Sequence, residues 1–381
     1  MSQPIIIIGS GFAAYQLIKT IRRTDQQQPI SVFSLDAGDD YNKPDLSHVF
    51  TQQQNSTDLI RMTGEAFAAE HNVTLHAFTQ VDSIDSAQQQ IFADGVAYPY
   101  AKLVLATGAK TFIPPIQGDA LENVITLNSL REFEGAQQSL QSAQRLLVIG
   151  AGLIGTEIAM DLASSGKQVL VVDPCSELMA NMLPDFVANK LHKTMANSGV
   201  VFALGSTISS LNKTATGIVA TLSNGDNQLV DCVICAAGLK ANTDLARKSG
   251  LTVNNGLVVD QYLQTSVKNI YALGDCAEIN GSVMAYLQPI MISANALAKT
   301  LLGQPTPLIL PAMLVKVKTP KMPIQLSGKT VVGATSWQAD INSEGCVIKA
   351  YDDAQKMVGF IVTEGHMKKA FMLLRELPAT I

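Results

Sequence analysis

Ile5-Ile6-Ile7-Ile8-Gly9-Ser10-Gly11-Phe12-Ala13-Ala14 is the stretch on which the fold turns, because it returns as Leu146-Leu147-Val148-Ile149-Gly150-Ala151-Gly152-Leu153-Ile154-Gly155. Each copy runs from an apolar segment through a glycine turn into helical spacing. That is the order of a parallel strand covered on both faces and followed by its crossover helix. Gly9 and Gly150 permit the turn, and Gly11 and Gly152 let the backbone approach a pyrophosphate. Ala14 and Gly155 are small enough for helix and strand to pack closely. A pyrophosphate would then rest on free N–H groups at the positive end of a helix.

An acid completes each copy. Asp36 closes the apolar run 30–35 and Asp173 closes 169–172, both placed to accept ribose hydroxyls. Pro174-Cys175-Ser176 follows Asp173 with no Arg or Lys to receive a 2′-phosphate, which favours NADH over NADPH. Two completed fingerprints imply two dinucleotides, one of them a flavin. The expected fold is α/β, with two Rossmann-like three-layer dinucleotide-binding domains and a small C-terminal α+β domain.

At 381 residues the chain exceeds one ordinary core, and 47% hydrophobic against 15% charged residues excludes disorder. No apolar run approaches the roughly 18 to 20 residues that span a bilayer, and the apolar start at 4–8 follows no basic segment. A cytoplasmic location, without membrane attachment, is expected. The net charge of −5 disfavours nucleic acid as a partner. Five cysteines and five histidines show no metal-ligand spacing, so no metal site is expected. Cys232 and Cys235 fall in a strand-like run, where side chains three apart face opposite sides, so no disulfide is expected between them. His48 is the one histidine in a cofactor-proximal segment; His71, His76, His192 and His366 are expected at the surface.

Leu103-Val104-Leu105-Ala106-Thr107-Gly108 reads as a strand ending in a small polar turn, and Ile270-Tyr271-Ala272-Leu273-Gly274-Asp275 as a strand ending in Gly-Asp. Together with the first fingerprint these resemble the two-dinucleotide flavoprotein family of disulfide reductases and ferredoxin or rubredoxin reductases, whose fold is glutathione-reductase-like. The resemblance implies FAD at Gly9, Gly11, Ala14, Asp36, Thr107, Gly108, Gly274, Asp275 and Gln288, with Asp275 accepting a ribityl hydroxyl. It implies NADH at Gly150, Gly152, Gly155 and Asp173. The disulfide reductases of the family carry a cysteine pair after the second strand. Here Tyr41-Asn42-Lys43-Pro44-Asp45-Leu46-Ser47-His48 holds none, and is similar instead to the Y-x-[RK]-P-x-L-S segment of ferredoxin and rubredoxin reductases. In that segment the cation, here Lys43, lies against FAD. Without a dithiol, electrons taken from NADH as hydride leave the flavin singly.

Gly274-Asp275-Cys276-Ala277-Glu278-Ile279-Asn280-Gly281, Leu287-Gln288-Pro289-Ile290, Ala298-Lys299-Thr300-Leu301-Leu302-Gly303 and Pro311-Ala312-Met313-Leu314-Val315-Lys316-Val317-Lys318-Thr319-Pro320 look like bacterial rubredoxin reductases. They look most like those serving flavorubredoxin, the anaerobic nitric oxide reductase. The resemblance spans essentially the whole chain and implies a small acidic redox protein, rubredoxin or flavorubredoxin, as partner. It also implies that Glu157, expected on the first turn of the nucleotide helix, sits near nicotinamide and flavin, and that Lys318 lies close to the flavin ring. Lys316, Lys318, Lys321 and Lys329 form a basic cluster suited to docking. Residues 290–302 read as a helix pointing its N-terminus at the flavin.

The expected FAD-binding domain is discontinuous, 1–113 and 242–309, with an NADH-binding domain at 114–241 and a C-terminal domain at 310–381 that covers the flavin. Pro114-Pro115 and Ala241-Asn242 mark the crossings. Trp337 is expected in the core of the small domain. A ferredoxin reductase of an oxygenase system, an NADH oxidase and a non-catalytic NADH-sensing flavoprotein stay open as alternatives.

Overall fold

The two copies of the repeat build two five-stranded parallel sheets in the computed structural model, which describes residues 3–380; four strands follow the same order in both, while the remaining edge strand comes last in the chain in the first sheet and first in the second. In the first, Ile5–Ile8 is central, flanked by Ile30–Phe33 and Lys102–Leu105, with Thr74–His76 and Ile270–Ala272 outermost. In the second, Arg145–Ile149 takes the centre between Gln168–Asp173 and Cys232–Cys235, with Val200–Leu204 and Val124–Ile125 at the edges. Burial on both faces explains why the central runs are apolar rather than alternating: every residue of Ile5–Ile8 is buried. The helices Phe12–Thr24 and Leu153–Ser164 return from the glycine turns.

An antiparallel three-stranded sheet accompanies each half, Val81–Asp85 to Val96–Pro99 in one and Ile208–Thr214 to Asn227–Val230 in the other. The chain crosses between the halves twice, and the crossings pair with each other as Ala109–Thr111 against Leu239–Ala241. Residues 315–363 form a third, five-stranded antiparallel sheet, followed by the helix Ala370–Glu376. Leu46, Val49 and Leu59 share one apolar core with Ile158 of the second nucleotide unit and with Val317, Ile324 and Ile361 of the last sheet. Burial of each such side chain contributes about 1.5–3 kcal/mol. Three stretches far apart in sequence are thereby held against one another.

Several expectations are corrected. The helix expected over 290–302 begins earlier, as Leu287–Leu301, so Pro289 lies inside its first turn. Proline is tolerated there because first-turn N–H groups have no intrahelical partner. Glu157 is the fifth residue of its helix and lies beyond the first turn, since the helix starts at Leu153 with Gly152 as N-cap. Trp337 is 40% exposed on the edge strand Ser336–Asn342, its indole N–H donating to the Thr330 carbonyl, and is not a core residue. His366 is buried, its Nε2 3.1 Å from Asn342 Oδ1, where the surface was expected. Cys232 and Cys235 do point to opposite faces, each into a different apolar cluster.

Candidate functional site

Both glycine turns are shaped for a group lying against them. A Cβ on Gly9, whose φ is +114°, would collide with the Ala106 carbonyl, and one on Gly155 with the Gly150 carbonyl. A Cβ on Gly11 or Gly152 would meet nothing within 4 Å. The same spacing thus produces tight strand–helix contact at one glycine and open space before the helix N-terminus at the other. Ala14 is fully buried at the first helix.

The two acids close the turns in the same manner. Asp36 Oδ1 accepts the Ser34 hydroxyl at 2.6 Å, the Gly38 N–H at 2.9 Å and the Ser10 hydroxyl at 3.2 Å. Asp173 accepts the Ala151 N–H at 2.6 Å and the Cys175 N–H at 2.7 Å. Beside Asp173 a cavity of about 150 Å³ opens, lined by Ala151, Gly152, Cys175 and Met179 among others. This open space before a helix N-terminus, with an acid at its rim, suits the ribose and pyrophosphate portion of a dinucleotide.

On the first side Gly274 abuts the start of the helix Phe12–Thr24, a Cβ there pressing on the Ala13 methyl at 2.8 Å. The Asp275 carboxylate that follows lies 3.8 Å from Lys43 Nζ. Burial pushes the Asp275 carboxyl up and the Lys43 ammonium down, and each charge opposes the shift of the other. Thr107 and Gly108 are tied to the returning crossing: the Thr107 hydroxyl donates to the Asn242 carbonyl at 2.7 Å, and the Asn242 N–H donates to Gly108 at 2.9 Å. Gln288 is exposed in the first turn of Leu287–Leu301.

Glu157 is 3% exposed and sits where the three stretches meet. Its Oε2 accepts the Ser47 hydroxyl at 2.9 Å and its Oε1 the Lys318 backbone N–H at 2.8 Å. The Lys318 ammonium donates to the Pro44 carbonyl at 2.7 Å, next to Asp45. Glu157 and Lys318 therefore come together, though through a backbone N–H and not as an ion pair. One turn along the helix, Asp161 accepts the N–H groups of Phe50 and Thr51 and the Thr51 hydroxyl.

Sequence reasoning missed Ser47, Asp161, Asn242 and the Ser10–Ser34 pair. Asp161 alone had a visible signal, its spacing of four from Glu157 on one helix face. The basic cluster is spread out rather than compact. Lys321 reaches Ser198 at 3.0 Å, and Lys329 lies beyond the end of the strand Ile324–Gly328, whose Gln325 pairs with Lys316. Among the described residues no group of His, Cys, Asp and Glu could hold a metal.

The comparisons with known proteins bear on this arrangement directly. Residues 3–297 match the family Pyridine nucleotide-disulphide oxidoreductase, and residues 307–377 match the Rubredoxin binding C-terminal domain. The chain is 56% identical to a protein of Aliivibrio fischeri named nitric oxide reductase FlRd-NAD(+) reductase, over the full length of both. It is 47% identical to the Escherichia coli protein of that name, over 99% of this chain and 100% of that one. Among solved structures, the ferredoxin reductase for the CYP199A2 system from Rhodopseudomonas palustris superposes with a TM-score of 0.89 at 24% identity, covering 99% of this chain and 96% of that one. Putidaredoxin reductase, in its covalent complex with putidaredoxin, superposes with a TM-score of 0.89 at 22% identity, over 98% and 92%. With a family model matching residues 3–297 and relatives 47% to 56% identical over essentially the whole chain, the chain belongs to the pyridine nucleotide-disulphide oxidoreductase family.

Proposed function

We propose that the protein is an NADH:rubredoxin-type oxidoreductase that takes hydride from NADH onto FAD and passes electrons singly to the rubredoxin domain of flavorubredoxin, in anaerobic nitric oxide detoxification. One observation carries the reading. The segment 41–48, where the disulfide reductases keep a cysteine pair, has none, and it lies instead beneath a matched rubredoxin binding domain that is bonded to the nucleotide helix through Lys318 and Glu157. The cofactors are FAD and NADH.

Bound FAD supplies the conversion from two-electron to one-electron transfer. Gly9, Gly11, Ala14, Asp36, Lys43, Thr107, Gly108, Gly274, Asp275 and Gln288 form its site in this reading, within a unit made of 1–113 and 242–309. Gly150, Gly152, Gly155 and Asp173 hold NADH within 114–241. Glu157 and Lys318 fix the nucleotide helix against the flavin side, and 310–381 presents the acceptor. Lys316 and Lys321 are exposed cations at that end, suited to steer an acidic partner. A cytoplasmic location belongs to the reading, and the five free cysteines suit a reducing compartment.

Steady-state NADH oxidation with purified rubredoxin-type and ferredoxin-type proteins and with oxygen as acceptors tests it. The rubredoxin-type acceptor should be reduced at least about tenfold more efficiently than the others, and the rate should fall with salt. Preference for ferredoxin or oxygen, or flavin reduction with no turnover on any acceptor, would refute it.

A further inference from the structure

The loop that follows Asp173 is pinned on both sides of Glu177. The Gly205 N–H donates to the Cys175 carbonyl at 2.9 Å, and the Met179 N–H donates to the Ala151 carbonyl at 2.8 Å. Leu178 and Met179 are buried, so the loop folds back over the second glycine turn and holds Glu177, half-buried, at the wall of the cavity beside Asp173. No Lys, Arg or His lines that cavity; Asp173 and Glu177 are its two carboxylates. They are placed differently. Asp173 has both oxygens engaged by backbone, Oδ2 by the Ala151 N–H and Oδ1 by the Cys175 N–H. Glu177 belongs to no ion pair among the described residues.

We propose that Glu177 is a specificity-determining residue, an uncompensated carboxylate that turns 2′-phosphorylated nucleotides away from this cavity while Asp173 receives the ribose hydroxyls. A ribose held by Asp173 places its 2′ position in a space of about 150 Å³ that Glu177 shares. A phosphate monoester there would carry about −1.5 to −2 charges at pH 7. It would meet two carboxylates and no cation, in a recess where water screens charge less than in bulk. The pinning matters because a free glutamate would swing into solvent and lose this effect. Asp173 selects the right nucleotide by accepting its hydroxyls, and Glu177 rejects the wrong one by repulsion; attraction and repulsion are separate routes to one discrimination.

The inference rests on the assignment of this cavity to NADH in the function proposed above, and its test needs neither hydride transfer nor a protein acceptor. The FAD-loaded full chain is titrated calorimetrically with ADP-ribose and with 2′-phospho-ADP-ribose, and the ratio of the two affinities is the readout. The parent should prefer ADP-ribose. Glu177→Gln, which keeps the size and removes the charge, should shift the ratio roughly tenfold toward the phosphorylated ligand, and Glu177→Lys should shift it further. Glu177→Asp, which keeps the charge, should stay nearer the parent. Raising salt from about 0.05 to about 0.5 M should narrow the gap more in the parent than in Glu177→Gln. In anaerobic stopped-flow, flavin reduction by NADPH should gain on reduction by NADH in the same order of variants. A ratio unmoved in both the Gln and Lys variants, or both ligands strengthened or weakened alike, overturns the proposal. If Glu177→Gln fails to fold, the Lys variant and the salt series of the parent still decide. ADP-ribose that does not bind the parent sinks the NADH assignment and the proposal with it, whereas ADP-ribose that binds with an unmoved ratio counts against Glu177 alone.

Discussion

Glu157 accepts the backbone N–H of Lys318 at 2.8 Å, across 161 residues of chain, while its other oxygen accepts the Ser47 hydroxyl. A single buried carboxylate therefore fixes the nucleotide helix to the FAD-side segment and to the last sheet. In Glu157→Gln the shape stays but one oxygen becomes an amide donor, leaving a donor against either Lys318 N–H or Ser47. The loss should be about 1.5–3 kcal/mol in urea unfolding, because hydrogen bonds to a charged acceptor are broken in a buried place. NADH should also reduce the flavin more slowly. A variant as stable as the parent would show that the carboxylate does not hold the joint.

Gly152 and Gly155 should separate binding from folding. A Cβ at Gly152 meets nothing within 4 Å, and its backbone is extended at φ −71° and ψ −172°, which any residue adopts. Gly152→Ala should unfold within about 0.5 kcal/mol of the parent, yet raise KM for NADH about tenfold, because the methyl enters the space left for a pyrophosphate. Gly155→Ala drives its Cβ into the Gly150 carbonyl and should cost roughly 2–3 kcal/mol. An unaltered KM in Gly152→Ala would remove that turn from the NADH site.

The repeat made the fold legible, because strands buried on both faces must be continuously apolar and a pyrophosphate turn must place its glycines at fixed spacing. The partners of Glu157 were not legible. Ser47 and Lys318 lie 110 and 161 residues away, and nothing local encodes such contacts. The start of Leu287–Leu301 was misread because Pro289 looks like a boundary, yet a first turn accepts it. His366 and Trp337 were misplaced for a different reason: their burial depends on the order of strands in the last sheet, where Ser336–Asn342 is an edge.

Arg145 and Asp231 should give stability a pH signature. The Arg145 guanidinium, aided by the N–H groups of Gln144 and Arg145, holds the Asp231 carboxyl down to about 2, against burial. The folded value lies below the ordinary 3.8, so the stabilisation is fully present well above 3.8 and is lost as pH falls through about 2. Asp231→Asn should be less stable than the parent by about 1 kcal/mol near neutrality, the pair being partly exposed and screened. The gap should narrow already by pH 4 to 3 in urea titrations. A gap that stays constant across that range would mean the pair adds no charge-dependent stability.

Cys232 and Cys235 test whether electrons leave without a thiol relay. They are 6% and 2% exposed, point into different clusters, and donate to the carbonyls of Ser139 and Phe112. Burial pushes both thiols up, away from the thiolate that exchange chemistry requires. Opposite faces of one strand cannot bring the two sulfurs together. The double variant Cys232→Ala, Cys235→Ala should therefore melt lower, each truncation costing about 1 kcal/mol, while rubredoxin-type acceptors are reduced within about twofold of the parent rate. If flavin reduction by NADH stays normal but delivery to the acceptor collapses, electrons do pass through this pair and the direct route from flavin to acceptor is wrong.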